Sequence, residues 1–230
     1  MHIEPGVVEG AKTALSYLTA AGAIGYAAKL SLDTIKEVGM TALVIRSSIT
    51  TALVLGMFQV LPHAPVGVSE VHLILGATLF LMFGAGAAAI GLAAGLLAQG
   101  LFFAPTDLPQ YGMNVTTLLV PLFLAGAIAR RVIPADTAYK DVSYAQAFKI
   151  SAAFQGAVVS WVGFWVVYGQ GFGAESLVQI ATFATAYLAV IIIEPALDLA
   201  ILAGVKATTD SEGHAVRGKV FNTRLHLASA

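Results

Sequence analysis

From Leu177 to Leu202 the only charged residues are Glu194 and Asp198, and most of the rest are apolar. About 20 mainly apolar residues in a helix cross the hydrocarbon core of a bilayer, which is about 30 Å thick. Water is absent there, so backbone groups must be satisfied within the segment, as a helix does. Similar stretches run over about Ala11–Leu30 and Val38–Leu61, from Gly84-Ala-Gly86 to Phe103, and over Val115–Ile128 and Ala145–Tyr168. Between the second and fourth lies Val71–Phe83, about 13 residues and near 20 Å as a helix, too short to span alone. Short or broken apolar segments are where transporter sites are often built, because they leave backbone groups free in the membrane.

The reading is therefore an all-α, polytopic membrane helix bundle of about seven transmembrane segments, with a short or broken third. The chain is 58% hydrophobic and 11% charged, with mean hydropathy +0.83; soluble domains run near 45–50% and 25%. A single membrane domain, 1–204, is expected, with a polar cytoplasmic tail at 205–230. A net charge of -1 gives no basic surface for nucleic acid, and the absence of cysteine excludes disulfides and thiolate metal sites. Met1 to Glu9 lacks the basic start of a signal peptide, so Met1 is expected to stay. The first span has a face of small residues, including Ala21/Gly25 and Ala23/Ala27, suited to close helix approach within the chain or with a partner. Trp161, Trp165 and Tyr168 read as interfacial anchors.

Lysine and arginine set the orientation. With the N-terminus outside, the inner side carries Lys29, Lys36, Arg130, Arg131, Lys140, Lys206, Arg217, Lys219 and Arg224, while the loops at 62–71, 104–114 and 169–176 hold none. This positive-inside pattern, with Lys12 a mild exception, places Met1-His2, His63, His72 and Asn114 on the outer side.

A chain that begins Met-His offers a metal three nitrogens in a row: the Met1 amine, the His2 amide and the His2 imidazole. His72, at the mouth of the short segment, supplies a fourth, and such a set suits Ni(II), Cu(II) or, less ideally, Co(II). A histidine there costs free energy unless paired or bound. Glu70 either orients His72 or is a solvated loop carboxylate, and His63, between prolines, is a further donor or a solvated side chain. Such binding weakens below about pH 6.5, where imidazole takes up a proton. Glu194 and Asp198 share one helical face and could bind a cation or relay protons; expected near the inner surface at the depth of Arg46, they read first as a structural charge cluster with it. No Gly-x-Ser-x-Gly elbow, His-Glu-x-x-His helix or phosphate loop is present, so ATP dependence would come from another subunit. Asn114-Val-Thr116 matches a glycosylation acceptor, a triplet common by chance.

Met1-His2-Ile3, Gly67-Val-Ser-Glu-Val-His72-Leu-Ile-Leu-Gly76 and Gly112-Met-Asn114-Val together resemble the CbiM/NikM family, the substrate-binding membrane subunits of energy-coupling-factor transporters for cobalt and nickel. The resemblance covers residues 1 to about 204 and departs from the family's pattern at Glu4-Pro5-Gly6 and by one extra residue before His72. It implies that the N-terminal segment, 1–10, enters the fold from outside and that Met1, His2 and His72 bind the metal, supported by Asn114 from its loop. It implies a transporter subunit rather than an enzyme. It implies no prosthetic group, with Co(II) or Ni(II) as the cargo, and it implies as partners a membrane coupling subunit and two cytoplasmic ATPases in a prokaryotic inner membrane. Two other readings stand beside it. An intramembrane enzyme using His72, Asn114, Glu194 and Asp198 predicts that these face one cavity, whereas a transporter predicts separate depths. A subunit for a non-metal vitamin would not need a free Met1.

Overall fold

The computed structural model describes residues 2–208 and 220–222. The helices are α1 (Thr13–Val38), α2 (Met40–Val60), α3 (Gly76–Phe83), α4 (Ala85–Phe102), α5 (Tyr111–Val132), α6 (Tyr144–Gln170) and α7 (Ala174–Thr208). Between α2 and α3 lies a hairpin of β1 (Ala64–Val66) and β2 (Ser69–Val71). By length and composition α2, α4, α5 (with the 3-10 turn before it), α6 and α7 can each cross a membrane. The chain is a multi-pass helical membrane protein. Of these five, α5 is the most enclosed by other helices and α7 the least.

Helices α1, α5 and α7 are all longer than the apolar runs suggest. α1 continues past Leu30 to Val38, because Lys29, Asp33 and Lys36 sit at helical spacing and pair along its surface. It stops at Gly39, whose φ of 89° turns the chain directly into α2. α5 starts at Tyr111, so Asn114 is in its first turn and buried, not in a loop. The short third segment is confirmed and is only partly helical: residues 72–75 are irregular, and α3 has only 8 residues.

The expected interfacial anchors are partly internal. Trp165 is fully buried, and the Trp161 indole N–H donates to Thr116 Oγ1 at 3.1 Å. The bundle has two distinct ends. At one, residues 2–12 meet the hairpin and the start of α5, and Lys12 Nζ donates to Gly169 O at 2.8 Å. At the other, Lys206 Nζ donates to Lys140 O and Asn222 N to Met82 O.

α2 and α4 lie side by side in the same direction and approach at glycines. A Cβ on Gly91 would lie 2.3 Å from Thr50 Oγ1 and 2.8 Å from the Thr50 carbonyl carbon, and one on Gly95 would lie 2.6 Å from Val54 Cγ1. Packing of small faces is what holds helices together in lipid, where no hydrophobic difference drives them. Gly91→Val therefore overpacks a backbone contact, at a cost of about 1–3 kcal/mol. Its melting temperature in detergent falls below that of the native chain, whereas Gly56→Ala, with nothing within 4 Å, leaves it unchanged.

Candidate metal centre

The hairpin turns at Gly67 (φ 62°) and pairs Ala64 with Val71, Pro65 with Glu70 and Val66 with Ser69. The free edge of β2 is taken by residues 2–4. Ile3 bridges Ser69 in antiparallel sense, Glu70 N–H donates to His2 O at 2.9 Å, and Glu4 N–H donates to Val68 O at 3.0 Å. The Ser69 hydroxyl also donates to His2 O at 2.9 Å, and Ile3 N–H donates to Asn114 Oδ1 at 2.7 Å. Strand alternation sends Ile3 to one face, where it is buried, and His2 to the other. The backbone on both sides of His2 is thus fixed by main-chain and buried side-chain bonds. A close crossing helps: a Cβ on Gly169 would lie 1.9 Å from Val7 O, so only glycine lets the N-terminal segment pass over α6.

His2 Nδ1 and His72 Nε2 each lie 2.7 Å from the same atom, Glu70 Oε2. The donor atoms of His2, Glu70 and His72 all fall within 4.8 Å of one another, a grouping that can hold a metal ion. The two imidazole rings meet edge to face at 5.1 Å, and Phe58 packs against both. His2 and His72 are 3% and 1% exposed, whereas Glu70 is half-buried. A carboxylate oxygen accepts only, so both facing ring nitrogens carry their protons and donate. His72 Nδ1 is then the unprotonated nitrogen, buried and without a hydrogen-bond partner.

Burial pulls both imidazoles below their usual 6.5, His72 to about 3, against the opposing pull of Glu70. The two N–H donors hold the Glu70 carboxyl well below the usual carboxylate range. The imidazole shift revises the expectation that ring protonation sets in near pH 6.5.

The other sequence candidates fall into three groups. His63 stacks on His72 with centroids 4.9 Å apart and planes 15° apart, but is exposed. Asn114 holds Ile3 N–H rather than facing the donors from a loop. Met1 lies outside the described residues, as does most of the tail at 205–230. Asp107, which the sequence gave no reason to single out, stands 3.8 Å from His2 Nδ1; its only signal was a place in an outer loop.

Among the described residues no ion pair joins Arg46 to Glu194 or Asp198, so the expected charge cluster is not formed. Arg46 donates to the carbonyls of Phe83 and Phe221. Glu194 accepts from Ile74 N–H and from Gln155 Nε2, and the Gln155 carbonyl accepts from Tyr187 O–H at 2.6 Å. Asp198 accepts from the Thr78 hydroxyl. The physical reason is the break before α3: Ile74 lies in the irregular linker, outside helix and strand, so its buried N–H needs an acceptor from elsewhere, and Glu194 supplies it. Glu194 therefore meets the linker at Ile74, two residues beyond His72, and not at the far depth of Arg46. It holds the irregular linker, where Leu75 adopts φ 51°, in place.

Fold and site together define a polytopic helical membrane protein with a buried two-histidine, one-carboxylate cluster at one end of the bundle. Residues 2–211 match the family profile CbiM, the cobalt uptake substrate-specific transmembrane region, and the chain belongs to that family. Two solved structures share the fold. One is described as the crystal structure of a transition metal transporter, with TM-score 0.70, 18% identity, and 92% of this chain and 95% of that chain covered. The other is described as a truncated transition metal transporter, with TM-score 0.65, 18% identity, and 89% and 96% covered. No curated protein matched the sequence.

Because both histidines bind fewer protons folded than unfolded below pH 6.5, stability is lost as pH falls from there toward about 3. Ring NMR of the metal-free protein between about pH 4 and 8 is expected to show His72 neutral throughout, where a free imidazole would titrate. A midpoint near the ordinary value would mean the ring is solvated.

Proposed function

We propose that this chain is the metal-capturing membrane subunit of an importer for a divalent transition metal, cobalt or nickel. The convergence of His2 Nδ1 and His72 Nε2 on one point carries this reading. That point is now held by Glu70, and an arriving cation takes the two nitrogens as each neutral ring carries its proton on its other nitrogen, so that both bind as neutral imidazoles. His2 presents Nδ1, the ring nitrogen able to close a chelate with its own amide nitrogen. The Met1 amine extends that chelate along the same backbone, giving a nitrogen-rich set that suits nickel and accepts cobalt. Glu70 remains beside the ion as a charge partner or an oxygen ligand, and Asn114 holds the backbone that carries His2. Glu4 and Asp107 add negative charge near the mouth, which draws in cations.

Membership of an uptake family favours transport over the enzyme and vitamin alternatives. Glu194 and Asp198, which the enzyme alternative needed as reacting groups, are engaged in holding α3. The N-terminal end of the bundle faces outward by the distribution of lysine and arginine, with the opposite end toward a membrane coupling subunit and two cytoplasmic ATPases in a prokaryotic inner membrane.

Two experiments test the reading. His72→Ala abolishes tight nickel and cobalt binding by the purified chain in calorimetry, and a single residue added before Met1 does the same; undiminished binding in both would refute it. Asn114→Ala leaves Ile3 N–H unpaired, which costs about 1–3 kcal/mol, so nickel affinity drops roughly tenfold or more. Asn114→Asp, which keeps the acceptor, loses less.

A further inference from the structure

The end of α3 away from His72 is finished by groups from distant parts of the chain. With 8 residues α3 is too short to be stable by itself, and its last carbonyls have no donor within it. Asn222 N–H donates to Met82 O at 2.6 Å, and the Arg46 guanidinium donates to Phe83 O at 3.4 Å. Arg46 also donates to Phe221 O at 2.8 Å, so one buried cation ties the helix end to residues 220–222. Its charge suits the negative end of a helix dipole. The Phe221 ring packs against Phe83 with centroids 6.0 Å apart, and Asn222 is buried. At Gly84, where φ of 87° turns the chain from α3 into α4, a Cβ would lie 3.7 Å from Asn222 Nδ2. Residues 220–222 thus lie across the joint between the two helices. Beside them is a cavity of about 160 Å³ walled by Asn222, Arg46, Gly84, Glu37, Asp33 and Arg130. Their hydrogen bonds therefore border a charged space, where bonds to water can replace them.

We propose that residues 220–222 are a releasable strap that holds α3, and through it the His72 linker, in the metal-holding arrangement. The linker and α3 form one segment pinned at both ends: Glu194 holds it at Ile74 and the strap holds it at Met82. A helix of this length is about 12 Å long, so a shift at the strapped end is carried to the linker. Docked, the strap keeps His72 turned toward His2; lifted, it frees α3 and loosens the grip on the ion. The effect on metal rests on the reading of the chain as a metal importer subunit, whereas the hold on α3 does not.

The test follows hydrogen exchange by mass spectrometry in the purified, metal-free full chain, since exchange reports local opening. Asn222→Pro removes the N–H that meets Met82 O, and Asn222→Ala keeps it. Amides of α3 are expected to exchange about tenfold faster in Asn222→Pro, the loss of one buried backbone bond, with those of α5 unchanged and Asn222→Ala native. Loaded with nickel, Asn222→Pro releases the ion to a chelator about tenfold faster than the native chain. Unchanged exchange at α3, or a rise of equal size in α5, would overturn the strap. Unchanged nickel release beside faster α3 exchange would overturn its link to the site. Should Asn222→Pro not fold, Phe221→Ala decides: faster exchange at α3 supports the strap and native exchange refutes it. Nickel binding that survives His72→Ala refutes the importer reading instead, and the exchange comparison still decides the hold on α3.

Discussion

A short piece of N-terminal backbone is sealed into the end of a lipid-embedded bundle, and the site depends on that docking. Residues 2–4 complete the edge of the hairpin through bonds to Val68, Ser69 and Glu70, and Asn114 takes Ile3 N–H from the other side. A segment with no regular structure of its own loses much conformational entropy when it is fixed in this way. Several backbone bonds and the burial of Ile3, Val7 and Val8 offset that loss. Once the strand is seated, pleat geometry leaves His2 little choice but to face His72 across Glu70.

The same constraint operates on the partner histidine. His72 belongs to a segment that leaves regular structure inside the bundle, where an unpaired N–H is costly. Glu194 from α7 and Gln155 and Tyr187 behind it satisfy that break, and Phe154 fills the space that a side chain at Gly76 would occupy. The imidazole is thereby attached to a linker held by two long helices rather than to a free loop. Movement of α7 against α3 would disturb the linker first, which gives a partner subunit acting on the bundle a mechanical route to the site.

Much of this was legible in the sequence. Lipid permits few backbone solutions, so long apolar runs translate directly into helices, and the short third run into a broken one. Helix ends were less legible, because the charged last turns of α1 and the polar first turn of α5 reach beyond hydrocarbon and look like loops by hydropathy. The opening Met-His and the run from Gly67 to His72 marked the histidines. Glu70 stood open between orienting group and solvated carboxylate, since two-residue spacing says nothing about a third group brought from the chain start. Arg46 was matched with Glu194 and Asp198 on charge and depth alone. The groups that in fact meet these carboxylates are a backbone N–H, an amide and a hydroxyl, whose availability depends on where a helix breaks.

The central claim is that two imidazoles, one from a docked chain end, share one divalent ion. X-ray absorption at the nickel edge of the loaded, purified chain tests this most directly. The account predicts a shell of nitrogen and oxygen with the multiple-scattering signature of two imidazole rings. An all-oxygen shell like that of a hydrated ion, with no imidazole contribution, would contradict it.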